Sequence, residues 1–432
     1  MTAVSKLLRF IALLFLSLSG NAYANFHLWR IDQVYSSPDG TIQYIVLVAL
    51  ASGQEFINGH TITVTQGPTV HSYTFTKDLS ADTASGTSGG YYGGGSTSYK
   101  SMLMATQGFA NLGIVTPDFI MPDGFVFPKG GGTINWGGGY DTFTYTTLPV
   151  DGAMALFRAG NVAYNAPQNF EGTMGTVAPT YQGLWWNSPA GSESGWGINI
   201  TQQGAVLFAT WFTYDTDGTP MWLVIPDATL VGPNAYSGTM YQTSGPRFDQ
   251  FDPAKVVATP VGTGTFAFTD ASNGAFTYSL KGISQTKAIT REVYGTAPAL
   301  CLTTGSPGAN YQDLWWHAPA NSESGWGINI TQQDNTIFAT WFTYDTAGKG
   351  MWIVMADGVS SAPGVYGGTL YTTSGPRFDQ FDASKVVATP VGNGTFTFTD
   401  ASNGTFAYTV NGVTQAKAIT REAFAAPTSI CR

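Results

Sequence analysis

Apolar and polar residues alternate with a period of two along most of the chain. Trp196, Ile198 and Ile200 are interleaved with Gly195, Gly197 and Asn199, and Phe266 and Phe268 with Thr265, Ala267 and Thr269. Phe276, Tyr278 and Leu280 alternate with Ala275, Thr277 and Ser279. This spacing sends one set of side chains to a core and the other to solvent, as antiparallel strands do. Asp217-Gly218, Asn273-Gly274 and Lys281-Gly282 supply turn signals between them. Asp252-Pro253-Ala254-Lys255-Val256 hints at a helical turn.

The pattern occurs twice. Residues 181–301 align with 311–431 at a constant offset of 130 without a gap, and 77 of the 121 positions are identical, which predicts one fold for both copies. About seven strands are read in each copy, and a meander of that size closes into a small barrel, with a two-sheet sandwich as the alternative. The copies drift most at 223–238, which reads as a tolerant strand end and loop. Residues 25–164 form a different domain, with strands at 31–34, 41–50 and 60–65 and a Gly/Ser-rich loop at 81–98. Residues 165–180 and 302–310, rich in Pro, Gly, Asn and Thr, read as linkers.

The first 24 residues change the setting. Lys6 and Arg9 precede an apolar stretch at 11–18, and Ala22-Tyr23-Ala24 offers a cleavage site, so an export signal is expected. The destination is then the periplasm, the cell surface or the medium, with no membrane span after cleavage. An outer-membrane barrel also carries a signal and alternating strands, but the second face of these strands is Thr, Ser, Asn or Gly where that class needs an apolar lipid face. Without the signal the chain keeps 16 basic and 27 acidic residues, a net of −11, which excludes the basic footprint of a nucleic-acid binder. Cys301 and Cys431 stand at equivalent ends of the two copies. A bridge between them is open to an exported chain, but only if those ends meet, as around a pseudo-two-fold axis.

The order of short motifs in 25–164 resembles the lamin-tail-like domain of secreted bacterial proteins. Ile31-Asp32-Gln33-Val34-Tyr35 stands at that family's opening strand, and Gly40-Thr41-Ile42-Gln43-Tyr44-Ile45-Val46-Leu47 at its second. Residues 101–106 (SMLMAT), Tyr140-Asp141-Thr142-Phe143-Thr144-Tyr145 and 153–158 (AMALFR) match later strands. Gln43 and Val46 replace the family's carboxylates. The resemblance implies an immunoglobulin-like sandwich with an accessory role. The copies look similar to Trp-rich W-W…E-S-G-W-G modules of exported bacterial proteins, a likeness that implies no activity. The expected architecture is therefore all-β: an immunoglobulin-like sandwich followed by two tandem antiparallel barrels or sandwiches.

Tryptophan is the loudest chemical signal. Each copy holds five: Trp185, Trp186, Trp196, Trp211 and Trp222, then Trp315, Trp316, Trp326, Trp341 and Trp352. They either fill a barrel core or line a surface that stacks on sugar rings. Trp196 belongs with Ile198 in the core. Trp211 and Phe212 point to opposite faces, as do Trp185 and Trp186, so one of each pair lies outside the core or in a second packed layer. The candidate ligand surface is Trp185, Trp186, Trp211, Trp315, Trp316 and Trp341, with Glu193 and Glu323. Glu193 with Asp249 or Asp252 is a conceivable glycosidase pair. The alternative pairs Glu193 with Arg247 or Arg291 at a barrel mouth and lets Asp249 cap the turn at Asp252-Pro253. Asp215-Thr216-Asp217-Gly218 looks like the start of a calcium loop, but the second copy has Ala347 for Asp217, and a hairpin turn explains both. His27, His60, His71 and His317 fall in no catalytic motif. The reading is non-catalytic binding of an extracellular polymer, polysaccharide first, without metal or cofactor. A structural or protein-interaction surface module and a carboxylate glycosidase are the alternatives.

Overall fold

A computed structural model of the protein describes residues 26–79, 99–150, 152–177, 180–296, 298–302 and 310–431. The expected export signal, the 81–98 loop and most of the 302–310 linker lie outside the described residues.

Among the described residues, ten strands build the N-terminal domain: β1 (Trp29–Ser36), β2 (Gln43–Ala49), β3 (Thr61–Gln66), β4 (Thr69–Thr74), β5 (Ser101–Thr106), β6 (Phe119–Met121), β7 (Gly132–Trp136), β8 (Asp141–Tyr145), β9 (Met154–Phe157) and β10 (Val162–Tyr164). They form a six-stranded sheet, β10-β9-β1-β2-β5-β6, and a four-stranded sheet, β4-β3-β7-β8. All neighbours are antiparallel except β5 and β6. Trp29, Ile45 and Leu47 of the first sheet meet Ile62, Ile134 and Trp136 of the second in one core. The other face of the six-stranded sheet is buried too, with Tyr35, Tyr44 and Leu103 packed under Leu300 and Leu302. Burial on both faces explains why β2 reads as a continuous apolar run. The 165–180 segment is not a free linker. Phe170 enters the sandwich core, and the Asn165 amide donates to the Ala153 and Val177 carbonyls at 2.6 and 2.7 Å.

Each copy is a closed barrel of eight antiparallel strands, one more than the sequence pattern suggests. Barrel one runs β11 (Gly183–Asn187), β12 (Gly197–Gln203), β13 (Val206–Tyr214), β14 (Pro220–Gly232), β15 (Ala235–Ser244), β16 (Val257–Phe268), β17 (Asn273–Leu280) and β18 (Ile283–Arg291). After the short β19 (Cys301–Leu302), barrel two repeats this as β20 (Asp313–His317), β21 (Gly327–Gln333), β22 (Thr336–Tyr344), β23 (Gly350–Ala362), β24 (Val365–Ser374), β25 (Val387–Phe398), β26 (Asn403–Val410) and β27 (Val413–Arg421), and β28 (Ile430–Cys431) closes the chain. The drifting 223–238 stretch holds the expected strand end, the last part of β14, but its loop is only the tight turn at 233–234 of the β14–β15 hairpin. Its pairing breaks between Val224 and Thr229, and Leu230 and Val231 beyond the break are exposed, so nothing fixes their identity. Asn273-Gly274 opens β17 rather than forming a turn. A side chain at Gly274 would meet the Ala267 carbonyl oxygen at 2.8 Å. The expected helical turn is a short 3-10 segment, Pro253–Lys255, capped by the Asp252 carboxylate accepting from the Ala254 N–H.

The barrels are not beads on a linker. The loop after β15 leaves its own barrel and inserts Phe248 into the core of barrel two, while Phe378 enters the core of barrel one. Backbone bonds hold both plugs: Phe248 N–H to the Tyr344 carbonyl and Phe378 N–H to the Tyr214 carbonyl, each 3.1 Å. Gln285 and Gln415 donate to the carbonyls of Asp379 and Asp249 beyond them, at 2.8 and 3.0 Å. Between the barrels lies a further apolar layer of Phe212, Tyr214, Trp222 and their counterparts Phe342, Tyr344, Trp352. The Trp222 indole donates to the Thr343 carbonyl and the Trp352 indole to Thr213. These reciprocal contacts define a pseudo-two-fold axis. Near it Cys301 and Cys431 are disulfide-bonded, with Cα atoms 4.0 Å apart.

Candidate functional site

Alternation along β11 and β13 decides where each tryptophan goes. Trp185, Trp211, Trp315 and Trp341 point inward, are 0–2 % exposed, and pack inside the barrels. These four of the expected ligand residues therefore cannot offer a ring face to a polymer. Trp196 and Trp326 join the same cores. Phe212, opposite Trp211 on its strand, belongs to the layer between the barrels. Trp186 and Trp316 point outward, are half-buried, and carry buried indole N–H groups without a partner among the described residues.

Glu193 and Glu323 sit in matching clusters at the barrel mouths. Glu193 accepts from Lys287 Nζ at 2.5 Å and from Trp196 Nε1 at 2.7 Å; Glu323 does the same with Lys417 and Trp326 at 2.6 and 2.7 Å. The lysines also lie over the tryptophan rings, 5.2 and 5.3 Å from the centroids. The expected partners Arg247 and Arg291 are engaged elsewhere. Arg247 pairs with Asp249, and Arg291 donates to the Gln182 and Ala271 carbonyls. The capping role expected of Asp249 falls to Asp252.

The plug exchange also rearranges the carboxylates. Asp249 sits with Glu323 beside Tyr408, and Asp379 with Glu193 beside Tyr278. Burial, reinforced by these carboxylates, holds both phenols far above their usual range. A same-copy pair of Glu193 with Asp249 does not form. Asp379 is held by Arg377 at 2.5 Å, so each carboxylate of the new pair already has a cation. The carboxylates of the 215–218 turn are occupied as well, Asp215 by Lys281 and Asp217 by Lys349.

A cavity of about 320 Å³ opens between the barrels. Barrel one contributes Trp186, Trp196, Phe212 and Glu292; barrel two contributes Phe338 and Trp352. Glu292 follows β18 directly, and its backbone is pinned from both sides. Its N–H donates to the Leu184 carbonyl, and its carbonyl accepts from Gln333 Nε2 at 2.8 Å. No cation pairs with its carboxylate among the described residues, and burial alone raises it to about 7. Glu422, its counterpart, is also raised to about 7, by burial with Asp313 adding to it. Every lining residue recurs 130 positions away in the other half except Ala356, which stands where barrel one has Pro226. Of the candidate ligand residues the sequence offered, only Trp186 lines this cleft, joined by Trp196, Phe212 and Trp352, which the sequence did not assign to a ligand. Glu292 carried no motif. The available signal was that Arg291-Glu292 is all that recurs of 291–300 in the second copy. No helix among the described residues is long and apolar enough to cross a membrane. No protein-family model, curated protein sequence or solved structure matches the chain.

Proposed function

We propose that this is an exported, non-catalytic binding protein whose ligand site is the cleft between the barrels. The observation that carries this reading is the cavity itself: an aromatic-lined space with one lone carboxylate, framed by two barrels that exchange plugs and share a disulfide. Ligand sites in proteins are commonly of this size and largely apolar, with few polar groups to orient the ligand. A tryptophan platform for an extended polysaccharide has less support, since all ten repeat tryptophans are buried or half-buried. A glycosidase has less support too, since the carboxylates brought together are already paired with Lys287 and Arg377. The N-terminal sandwich, similar in motif order to lamin-tail-like domains, serves as the accessory module that places the barrels at a surface.

A thermal-shift panel on the intact protein tests the reading, using small amphiphilic compounds beside soluble and insoluble glycans. The expected result is stabilisation by a small compound that is reduced in Ala356→Trp, which places a bulky side chain at the exposed rim of the cleft. Retention on an insoluble glycan, unchanged by Ala356→Trp, would overturn the cleft in favour of a polymer-binding face.

A further inference from the structure

Resting on that reading, we infer that the cleft between the barrels is an aromatic cage for a small organic cation of the quaternary-ammonium class, with Glu292 as its counter-ion. Ring composition and charge point the same way. Trp186, Trp196, Phe212, Phe338 and Trp352 line its walls, and aromatic rings attract a cation through their quadrupole and tolerate its methyl groups. A quaternary ammonium donates no hydrogen bonds, so it needs none of the acceptors that an ordinary ammonium would demand. The fold already uses this chemistry close by, where Lys287 lies over the Trp196 ring.

Charge completes the argument. Glu292 is the one ionisable side chain lining the cleft, and barrel two contributes apolar, Thr and Ala positions there but no charge. Tyr294 lies next to it on the same segment; burial holds that phenol well above its usual value, so it stays neutral. Lys287 and Glu193 behind Trp196 neutralise one another. Arg291, the nearest cation in sequence, points into the barrel end and over Trp185. An isolated carboxylate in an aromatic pocket is costly unless a positive ligand pairs with it. The rise of Glu292 to about 7 is the free-state expression of that unmet demand.

The test is calorimetric titration of the full chain with choline chloride and with its uncharged isostere 3,3-dimethylbutan-1-ol. Choline is expected to bind, with the isostere weaker by roughly tenfold or more. Glu292→Gln should weaken choline severalfold, towards the isostere's affinity, and leave the isostere unchanged. From pH 6 to pH 8 choline binding should strengthen severalfold as Glu292 ionises, while the isostere stays flat. Ala356→Pro, which adds a ring at the exposed rim of the cleft, should weaken binding of both. That change copies Pro226, which sits at the matching strand irregularity of barrel one, so the fold accommodates it. Equal binding of the two probes, weakened in Ala356→Pro, overturns the cation while the cleft stands. Binding untouched by Ala356→Pro overturns the cleft as well. Binding of neither probe overturns the cation inference, and the cleft then rests on the thermal-shift panel.

Discussion

In barrel one, Phe212, Tyr214 and Trp222 meet the partner barrel through their side chains, and each has an identical counterpart in Phe342, Tyr344 and Trp352. The plug loops 243–252 and 373–382 are identical throughout. The tails behave differently: of 291–300, only Arg291 and Glu292 recur in 421–430. Both tails nevertheless cross to the opposite barrel. Tyr294 and Phe424 donate their backbone N–H groups to Gln333 and Gln203, at 3.0 and 2.9 Å. A contact made by backbone does not read the side chain, whereas a plug that fills a barrel core is read atom by atom. The two copies are thus held to one sequence in the plugs, whereas the tails, pinned by backbone, keep only the aromatic character of one position, Tyr294 against Phe338 and Phe424 against Phe208.

The sharpest way to break this comparison is to remove a plug. Phe378 belongs to copy two but is 1 % exposed in the core of barrel one. Phe378→Ala should therefore destabilise barrel one, by about 3–5 kcal/mol, the usual cost of emptying a buried Phe site. Hydrogen exchange should show lost protection in β12, β13 and β17 before barrel two opens. Phe248→Ala should produce the mirror pattern. Loss of protection confined to the barrel that carries the mutation would mean that each plug serves its own copy.

How much of this was legible follows from what a period of two encodes. It identifies the residues that face inward, and Trp196, Ile198, Phe266, Phe276 and Tyr278 all lie in the barrel core as expected. It does not say what covers the outward face. Asn199 of β12 was expected on the wet face, yet it is 3 % exposed, and Thr201 and Gln203 further along the same face are 3 and 1 % exposed. Gln203 is polar because it donates to the Glu422 carbonyl of the other copy at 2.7 Å. A polar residue that faces a second copy looks, in sequence, like one that faces water. Phe248 left a faint mark, an aromatic residue in the polar stretch Gly245-Pro246-Arg247-Phe248-Asp249. The cleft left almost none, because its walls come from strands far apart in the chain and its carboxylate from a lone Glu.

Glu292 and Glu422 offer a second, gentler test of the shared design. Burial raises both from an ordinary value of 4.5 to about 7. The folded protein therefore keeps protons that the unfolded chain has lost between those values. Their contribution to stability is complete below about pH 4.5 and is lost as pH rises through about 7. Each Glu→Gln change should raise stability at pH 8 by about 1–3 kcal/mol and leave it unchanged at pH 4. Urea denaturation of the two single variants at both pH values is the measurement. A flat difference between parent and variants across that range would show that neither carboxyl is desolvated.

The smallest expected effect concerns a buried position at the barrel ends where the copies differ. Arg421 pairs with Asp313 at 2.7 Å and stacks over Trp315, with the carboxylate almost wholly buried. Arg291 stacks over Trp185 in the same way, but Gly183 stands where Asp313 would be. Arg291 manages without a carboxylate by donating to the carbonyls of Thr180, Gln182 and Ala271. Arg421 has the matching acceptors in Asn310, Gln312 and Ala401, at 2.7, 3.2 and 2.5 Å. Burial pushes Asp313 upward even beside this arginine, so much of the pair's attraction is spent on desolvation. Asp313→Gly, which rewrites barrel two as barrel one, should then cost about 1 kcal/mol or less, part of it the glycine's own chain entropy. A urea midpoint shift equivalent to more than about 3 kcal/mol, the usual cost of stranding one member of a buried pair, would mean that barrel two depends on an ion pair barrel one does without.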